Sequence, residues 1–180
     1  RYGSAGLFGV VLALCMALPA AATGPKTGEV PPTLLGKDRD GTVVDLAQHR
    51  GKVVVVTFWA SWCGPCRKEL PGLDALQKHA GDKLLKVVAV NVEDSTEDYR
   101  AMLRQMKDYT IAMTRDRSGD IAEGYGVKSY PNLWIIDPQG KVAGHHVGYG
   151  EESLGRLVDE INRVIAAEQQ RLKAAAATSG

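Results

Sequence analysis

The chain is poor in cysteine, with 3 in 180 residues. Three is too few for a disulfide scaffold and too few for a four-cysteine zinc site. No excess of either charge exists: 22 Lys+Arg against 21 Asp+Glu leaves +1. Without a basic field to concentrate it, a nucleic-acid partner is disfavoured. Long apolar runs are missing as well. Leu7 to Leu18 (LFGVVLALCMAL) is uncharged, but it falls short of the ~20 residues of a membrane span. There is no internal repeat. With 44% hydrophobic and 24% charged residues, the composition excludes wholesale disorder, collagen-like repeats and a polytopic membrane protein. The length suits one domain with an added segment.

That added segment is read at the start. Arg1 precedes the apolar run, and Pro19 and Ala20-x-Ala22 follow it. These are the three parts of a secretory signal peptide, so residues 1–22 are expected to be an export signal or an uncleaved anchor. Leu14 before Cys15 does not suit a lipoprotein signal. Cleavage after Ala22 removes Cys15 and leaves two cysteines, an even pair in an exported chain.

In the remainder, residues 23–32 are rich in Gly, Pro and Thr and read as a linker. Two short strand-like runs flank Asp40-Gly41, a hairpin turn signal. Lys52 to Phe58 (KVVVVTF) is β-branched without alternation, as in a central strand buried on both faces. A helix is expected from Cys66 to about His79, then a second buried strand, Leu84 to Val92. Ser95 with Asp98 starts a helix that presents Tyr99, Met102, Leu103 and Met106 on one face. Ile111 to Thr114 reads as a short strand, with a short helix ending at Tyr125. Leu133 to Ile136 and Lys141 to Val147 form a hairpin about Asp137-Pro138-Gln139-Gly140. A last helix carries Leu154, Leu157, Val158, Ile161 and Ile165. The fold class is therefore α/β, a sandwich about a mixed central sheet. The domain spans 33–173, and 174–180 is expected to be a disordered tail.

The chemistry sits at Trp62-Cys63-Gly64-Pro65-Cys66, between a buried strand and a helix. One helical turn separates the cysteines, so a disulfide can close. Cys63 falls at the helix N-terminus, where free N–H groups and the dipole favour a thiolate. Pro65 suits the first turn, which has no use for its missing N–H. Cys66 lies one turn in and is placed to resolve. Haem attachment would need His at Arg67, and zinc would need a second cysteine pair. A purely structural disulfide would not normally sit at a strand-to-helix junction, so redox catalysis is favoured over these three, and no cofactor or metal is expected.

The run FWASWCGPCRKELP resembles the active site of thioredoxin-fold proteins, and more narrowly of the exported TlpA/ResA/CcmG-like thiol-disulfide oxidoreductases. The likeness extends from about Val30 to Ala167. It implies a thioredoxin-like sandwich with an N-terminal hairpin and an extra helix-strand insertion after Val92. It implies a catalytic Cys63-Cys66 disulfide and a cis-proline loop at Tyr130-Pro131. Trp62, Gly64, Pro65, Tyr130 and Pro131 would form the substrate rim. Glu69 matches a glutamate near the thiols and would move a proton to or from Cys66. Pro71, five residues after Cys66, matches a helix kink. Three positions depart from the pattern: Thr57 where cytosolic thioredoxins have a buried Asp, Asn132 where Thr is common, and a bulky Tyr130. The Gly-Pro pair suggests a reducing poise.

The implied function is reduction of disulfides in envelope proteins, such as an apocytochrome c or a copper-chaperone cysteine pair. A membrane-embedded thiol electron donor would reset the site. Two alternatives stand beside it. A peroxiredoxin-type thiol peroxidase is disfavoured, because those enzymes use a lone cysteine flanked by Thr and Arg. A Cu(I)-binding module would use the two thiols with a histidine. His145 and His146 are adjacent on a strand and point to opposite faces, so they cannot together hold one metal. Met102 and Met106 read as core. Arg67 and Lys68 could help hold the thiolate negative.

Overall fold

The structure, a computed structural model, describes residues 23–178. The expected export signal or anchor at 1–22 lies outside the described residues, as do residues 179–180. The elements run β1 (Leu34–Lys37), β2 (Val43–Asp45), β3 (Val53–Trp59), α1 (Gly64–Ala80), β4 (Leu85–Val92), α2 (Thr96–Gln105), β5 (Ala112–Asp116), α3 (Asp120–Gly124), β6 (Asn132–Ile136), β7 (Val142–Val147) and α4 (Ser153–Thr178). A single 3-10 turn, Leu46–His49, joins β2 to β3. The strands form one seven-stranded sheet in the order β2-β1-β5-β4-β3-β6-β7.

The run of valines explains the centre. β3 is buried at every residue, pairs parallel with β4 and antiparallel with β6, and so never meets water. Its side chains alternate between two cores. Val53, Val55 and Trp59 pack with Leu70 and Leu73 of α1, Met102 of α2, and Leu157 and Ile161 of α4. Val54, Val56 and Phe58 pack with Leu35, Ala122, Tyr125 and Trp134 on the other face. The hairpin β1–β2 turns at Gly41, whose φ of 83° suits a residue without Cβ. The Asp38 carboxylate accepts from the N–H groups of Asp40 and Thr42 there. β5 is the inserted strand, carried in by α2 and paired parallel with β4. The Ser95 hydroxyl caps α2 by accepting from the Asp98 N–H at 3.0 Å.

Two segments are more ordered than the composition predicts. The stretch 23–32, expected as a linker, lies along β7: Gly28 N–H donates to the Val142 carbonyl at 2.8 Å and Val142 N–H to that of Glu29 at 2.9 Å. The Tyr125 hydroxyl donates to the Pro32 carbonyl at 2.8 Å. A free edge strand supplies backbone partners that composition cannot register. Helix α4 also runs on to Thr178, through the stretch 174–178 expected to be disordered. Alanine has the highest helix propensity, so a run of it prolongs a helix already nucleated by packing.

Candidate active site

Strand β3 ends at Trp59 and helix α1 begins at Gly64, so the chain between them must turn at the edge of the buried core. Cys63 is the N-cap of α1, and its sulfur accepts from the Cys66 N–H at 3.2 Å. The two cysteines are joined by a disulfide, with Cα atoms 5.3 Å apart. Pro65 stands in the first turn and Pro71 inside the helix. Cys66 is fully buried and Cys63 is 4% exposed, whereas Trp62 beside them is 64% exposed. A large apolar ring is thus held in water next to a nearly buried sulfur.

The loop before α1 is anchored from β4. The Asp94 carboxylate accepts from the Ser61 N–H at 3.0 Å, from the Ser61 hydroxyl at 2.8 Å and from the Asn91 amide at 2.6 Å. Three donors on one carboxylate fix the approach to Trp62 and Cys63. The Tyr130-Pro131 bond is cis. The Tyr130 ring meets that of Trp62 edge-on, centroids 5.8 Å apart. The Tyr130 hydroxyl is pushed up to about 12 by burial and by the neighbouring carboxylates of Glu93 and Asp116.

Glu69 lies one turn beyond Cys66 on α1 and is only 3% exposed. Thr57 is the polar member of β3 on the face covered by α1, and its hydroxyl donates to the Glu69 carboxylate at 2.7 Å. Burial pushes the Glu69 carboxyl up to about 7, against the opposing pull of that hydrogen bond. Glu69 also lines a cavity of about 550 Å³ with Leu133, His146, Tyr149 and Leu157. A buried carboxyl that titrates near neutrality is thus connected to a cleft. Thr57→Val removes the donor that favours the carboxylate, so the Glu69 midpoint is expected to rise further, while Thr57→Ser keeps it. Carboxyl NMR resonances followed through pH check this; an unmoved midpoint in Thr57→Val would show that the hydroxyl does not hold the carboxylate.

Comparison with known proteins places this geometry. Residues 27–145 match the AhpC/TSA family. The chain belongs to the AhpC/TSA family. Within it, the chain is 39% identical over 128 residues to thioredoxin-like protein YneN of Bacillus subtilis, covering 69% of this chain and 74% of that one. It is 34% identical over 157 residues to a thiol:disulfide interchange protein DsbE homologue of Paracoccus denitrificans, covering 84% of this chain and 82% of that one. A crystal structure from Chlorobium tepidum, assigned as a thiol:disulfide interchange protein DsbE, superposes with a TM-score of 0.74 at 34% identity. It covers 79% of this chain and 99% of that one. The fold is thioredoxin-like, and the chain is a thiol-disulfide oxidoreductase.

In this AhpC/TSA member, the sequence motif brings Trp62, Cys63, Cys66 and Glu69 together, and the fold adds Tyr130 through its contact with Trp62, with Pro131 next to it in the chain. The two histidines stay apart. His145 stacks on Trp134 at 3.8 Å and lies 2.9 Å from the Asn132 amide oxygen. His146 lies 2.7 Å from the Glu160 carboxylate. Glycine at 144 permits this, because a Cβ there would strike the Glu160 carboxylate. Among the described residues no group of three His, Cys, Asp or Glu side chains could hold a metal ion, and no helix is long and apolar enough to cross a membrane. Two contributions escape sequence reasoning. Thr57 registers only as a departure from a pattern, with no sign of its partner twelve positions on. Asp94 lies 33 positions beyond Ser61 and carries no local signal at all.

Proposed function

We propose that this oxidoreductase is exported and works as a reductant of protein disulfides outside the cytoplasm. The Cys63 thiolate attacks one sulfur of a substrate disulfide; the other substrate sulfur leaves as thiolate and takes a proton. Cys66, deprotonated, then attacks the Cys63 sulfur of the mixed disulfide, releasing the second substrate thiol and closing Cys63–Cys66. Two electrons pass from enzyme to substrate. A membrane-embedded thiol donor would return them, since a cell envelope offers little soluble reductant.

The observation that carries this reading is the position of Cys63 as the cap of α1, its sulfur facing the Cys66 N–H. Free helix N–H groups and the dipole stabilise a thiolate there. The exposed Trp62 and the adjoining Tyr130 supply an apolar rim against which a polypeptide can dock, Gly64 has open space where a side chain would stand, and Pro131, without an N–H, leaves neighbouring backbone to pair with an extended substrate. Glu69 is the proton acceptor for Cys66, one turn away. Export rests on the apolar run Leu7 to Leu18 and on the likeness to the two DsbE-named proteins.

Equilibration with glutathione tests the direction of electron flow. The expected potential lies near that of thioredoxin, about −270 mV. A value close to the roughly −120 mV of a strong periplasmic oxidant would make the protein an oxidant instead.

A further inference from the structure

Outside the dithiol site, a cleft of about 640 Å³ opens between β1, α2 and β5. Lys37, Arg39, Arg100, Arg115 and Arg117 line it, five cations against the three carboxylates of Asp38, Asp116 and Asp120. Among the described residues, none of the five cations forms an ion pair. The carboxylates are engaged within their own turns. Asp38 accepts from the N–H groups of Asp40 and Thr42, Asp116 from those of Gly119 and Ala122, and Asp120 from the Ser118 hydroxyl. Lys37, Arg100 and Arg117 are exposed, and their side chains have no hydrogen-bond partner among the described residues.

The sheet sharpens this excess. Lys37 and Arg115 are register partners across the antiparallel β1–β5 pair. Like charges directly opposite one another on neighbouring strands repel. Arg115 is held in place: its guanidinium lies over the Tyr99 ring, 5.6 Å from the centroid, and donates to the Thr96 hydroxyl at 2.9 Å and to the Asp94 carbonyl. All three contacts are neutral, so they fix the charge without cancelling it. An incoming carboxylate relieves the repulsion between a fixed cation and the lysine opposite it.

The cleft is not purely ionic. Exposed Leu34 and half-buried Leu103 and Ile121 stand in its walls. A lone inorganic anion makes no use of them, whereas a polypeptide does. Asp116, Arg117 and Ser118 also line a second cleft, of about 520 Å³, that reaches Tyr130. Tyr130 in turn meets Trp62, the neighbour of Cys63. The cationic cleft therefore adjoins the path to the dithiol rim.

We propose that this cleft is a docking site for an acidic segment of the substrate polypeptide, held by Lys37, Arg100, Arg115 and Arg117 while the substrate disulfide lies at Cys63. The inference rests on reading Cys63 and Cys66 as acting on polypeptide disulfides.

Binding is measured with the oxidised full chain and two labelled, cysteine-free peptides, one rich in Asp and Glu, the other with Asn and Gln in their place. The acidic peptide is expected to bind about tenfold more tightly in about 20 mM salt. That advantage should shrink to about twofold in about 0.5 M salt, because exposed charges are screened. Arg100→Gln/Arg117→Gln should bring the two peptides within about twofold of each other at low salt. Lys37→Glu should do the same, and its melting temperature should rise by about 1–3 °C, because an opposite pair replaces a like one across the strands. Disulfide-bridged peptides carrying the same two tails give the kinetic readout: the acidic tail should lower KM about tenfold in wild type and in neither variant. Equal binding of the two peptides by wild type, an advantage that survives Arg100→Gln/Arg117→Gln, or an unraised melting temperature in Lys37→Glu would each overturn the inference. So would binding to phosphatidylglycerol vesicles without binding to the acidic peptide. Failure of the underlying reading looks different: the cysteine-free acidic peptide would still bind, while wild type would reduce the bridged peptides no faster than Cys63→Ser.

Discussion

Cys63→Ser is expected to fold and to lose disulfide-reducing activity on the order of a thousandfold or more, as when a covalent nucleophile is removed. The reason is local. Cys63 is the N-cap of α1 and a serine hydroxyl also caps a helix, so the local structure survives the exchange. Reactivity does not survive it, because an alkoxide is not available near neutral pH. Cys66→Ser should behave differently. Its Cys63 still attacks, but the buried resolving thiol is gone, so the mixed disulfide accumulates and can be isolated with a bound substrate. Reduced wild type is the proper stability reference, since closing so short a loop contributes roughly 2 kcal/mol to the oxidised form. The readout is turnover of an insulin-type substrate, with mass analysis for the trapped adduct. Equal activity of Cys63→Ser and wild type would end the dithiol mechanism. So would loss of turnover in Cys66→Ser with no adduct formed.

Glu69→Gln should gain stability at alkaline pH while losing activity. The carboxyl titrates at about 7 in the folded protein against an ordinary value of 4.5, chiefly because it is buried. Below the ordinary value both folded and unfolded chains hold the proton, so the variant and the wild type differ little for this reason. Between the two values the unfolded chain releases its proton and the folded chain keeps it. Folded wild type therefore loses stability as pH rises through this window, by about 3 kcal/mol in all, and the loss is complete above it. Glutamine does not titrate and still offers Thr57 an acceptor. Its melting temperature should therefore exceed that of wild type at pH 8 and approach it at pH 5. Activity moves the other way. With the base for Cys66 removed, resolution should slow about a hundredfold, and the limb of the pH–rate profile near 7 should vanish. A wild-type pH–rate profile in Glu69→Gln would remove Glu69 from proton transfer, whatever its effect on stability.

Much of this was legible in the residue pattern because it is local. The unbroken β-branched run of Lys52 to Phe58 could only be a strand covered on both faces, and β3 is buried throughout. The Asp40-Gly41 and Asp137-to-Gly140 turns, the Ser95 cap and the Cys63-to-Cys66 spacing each act within a few residues. So does the helical separation of Cys66 from Glu69. Where the sequence misleads, the cause is distant. The stretch 23–32 reads as a linker by composition, yet β7 offers it backbone partners more than a hundred positions away. The alanines after residue 173 read as a frayed tail, although α4 is already nucleated by the packing of Leu157 and Ile161.

The sequence by itself determined the dithiol, its place at a strand-to-helix junction and the α/β fold that presents it, because strand burial, helix capping and a one-turn cysteine spacing are short-range properties. Only the tertiary structure decided how the dithiol is tuned and approached. Thr57 reaches Glu69 because β3 and α1 pack face to face. Trp62 meets Tyr130, and Asp94 holds Ser61, because the β4–α2 connection and the proline loop converge on one end of the sheet. Those contacts join positions from 12 to 68 residues apart, and no local propensity encodes them; the packing of the sheet does.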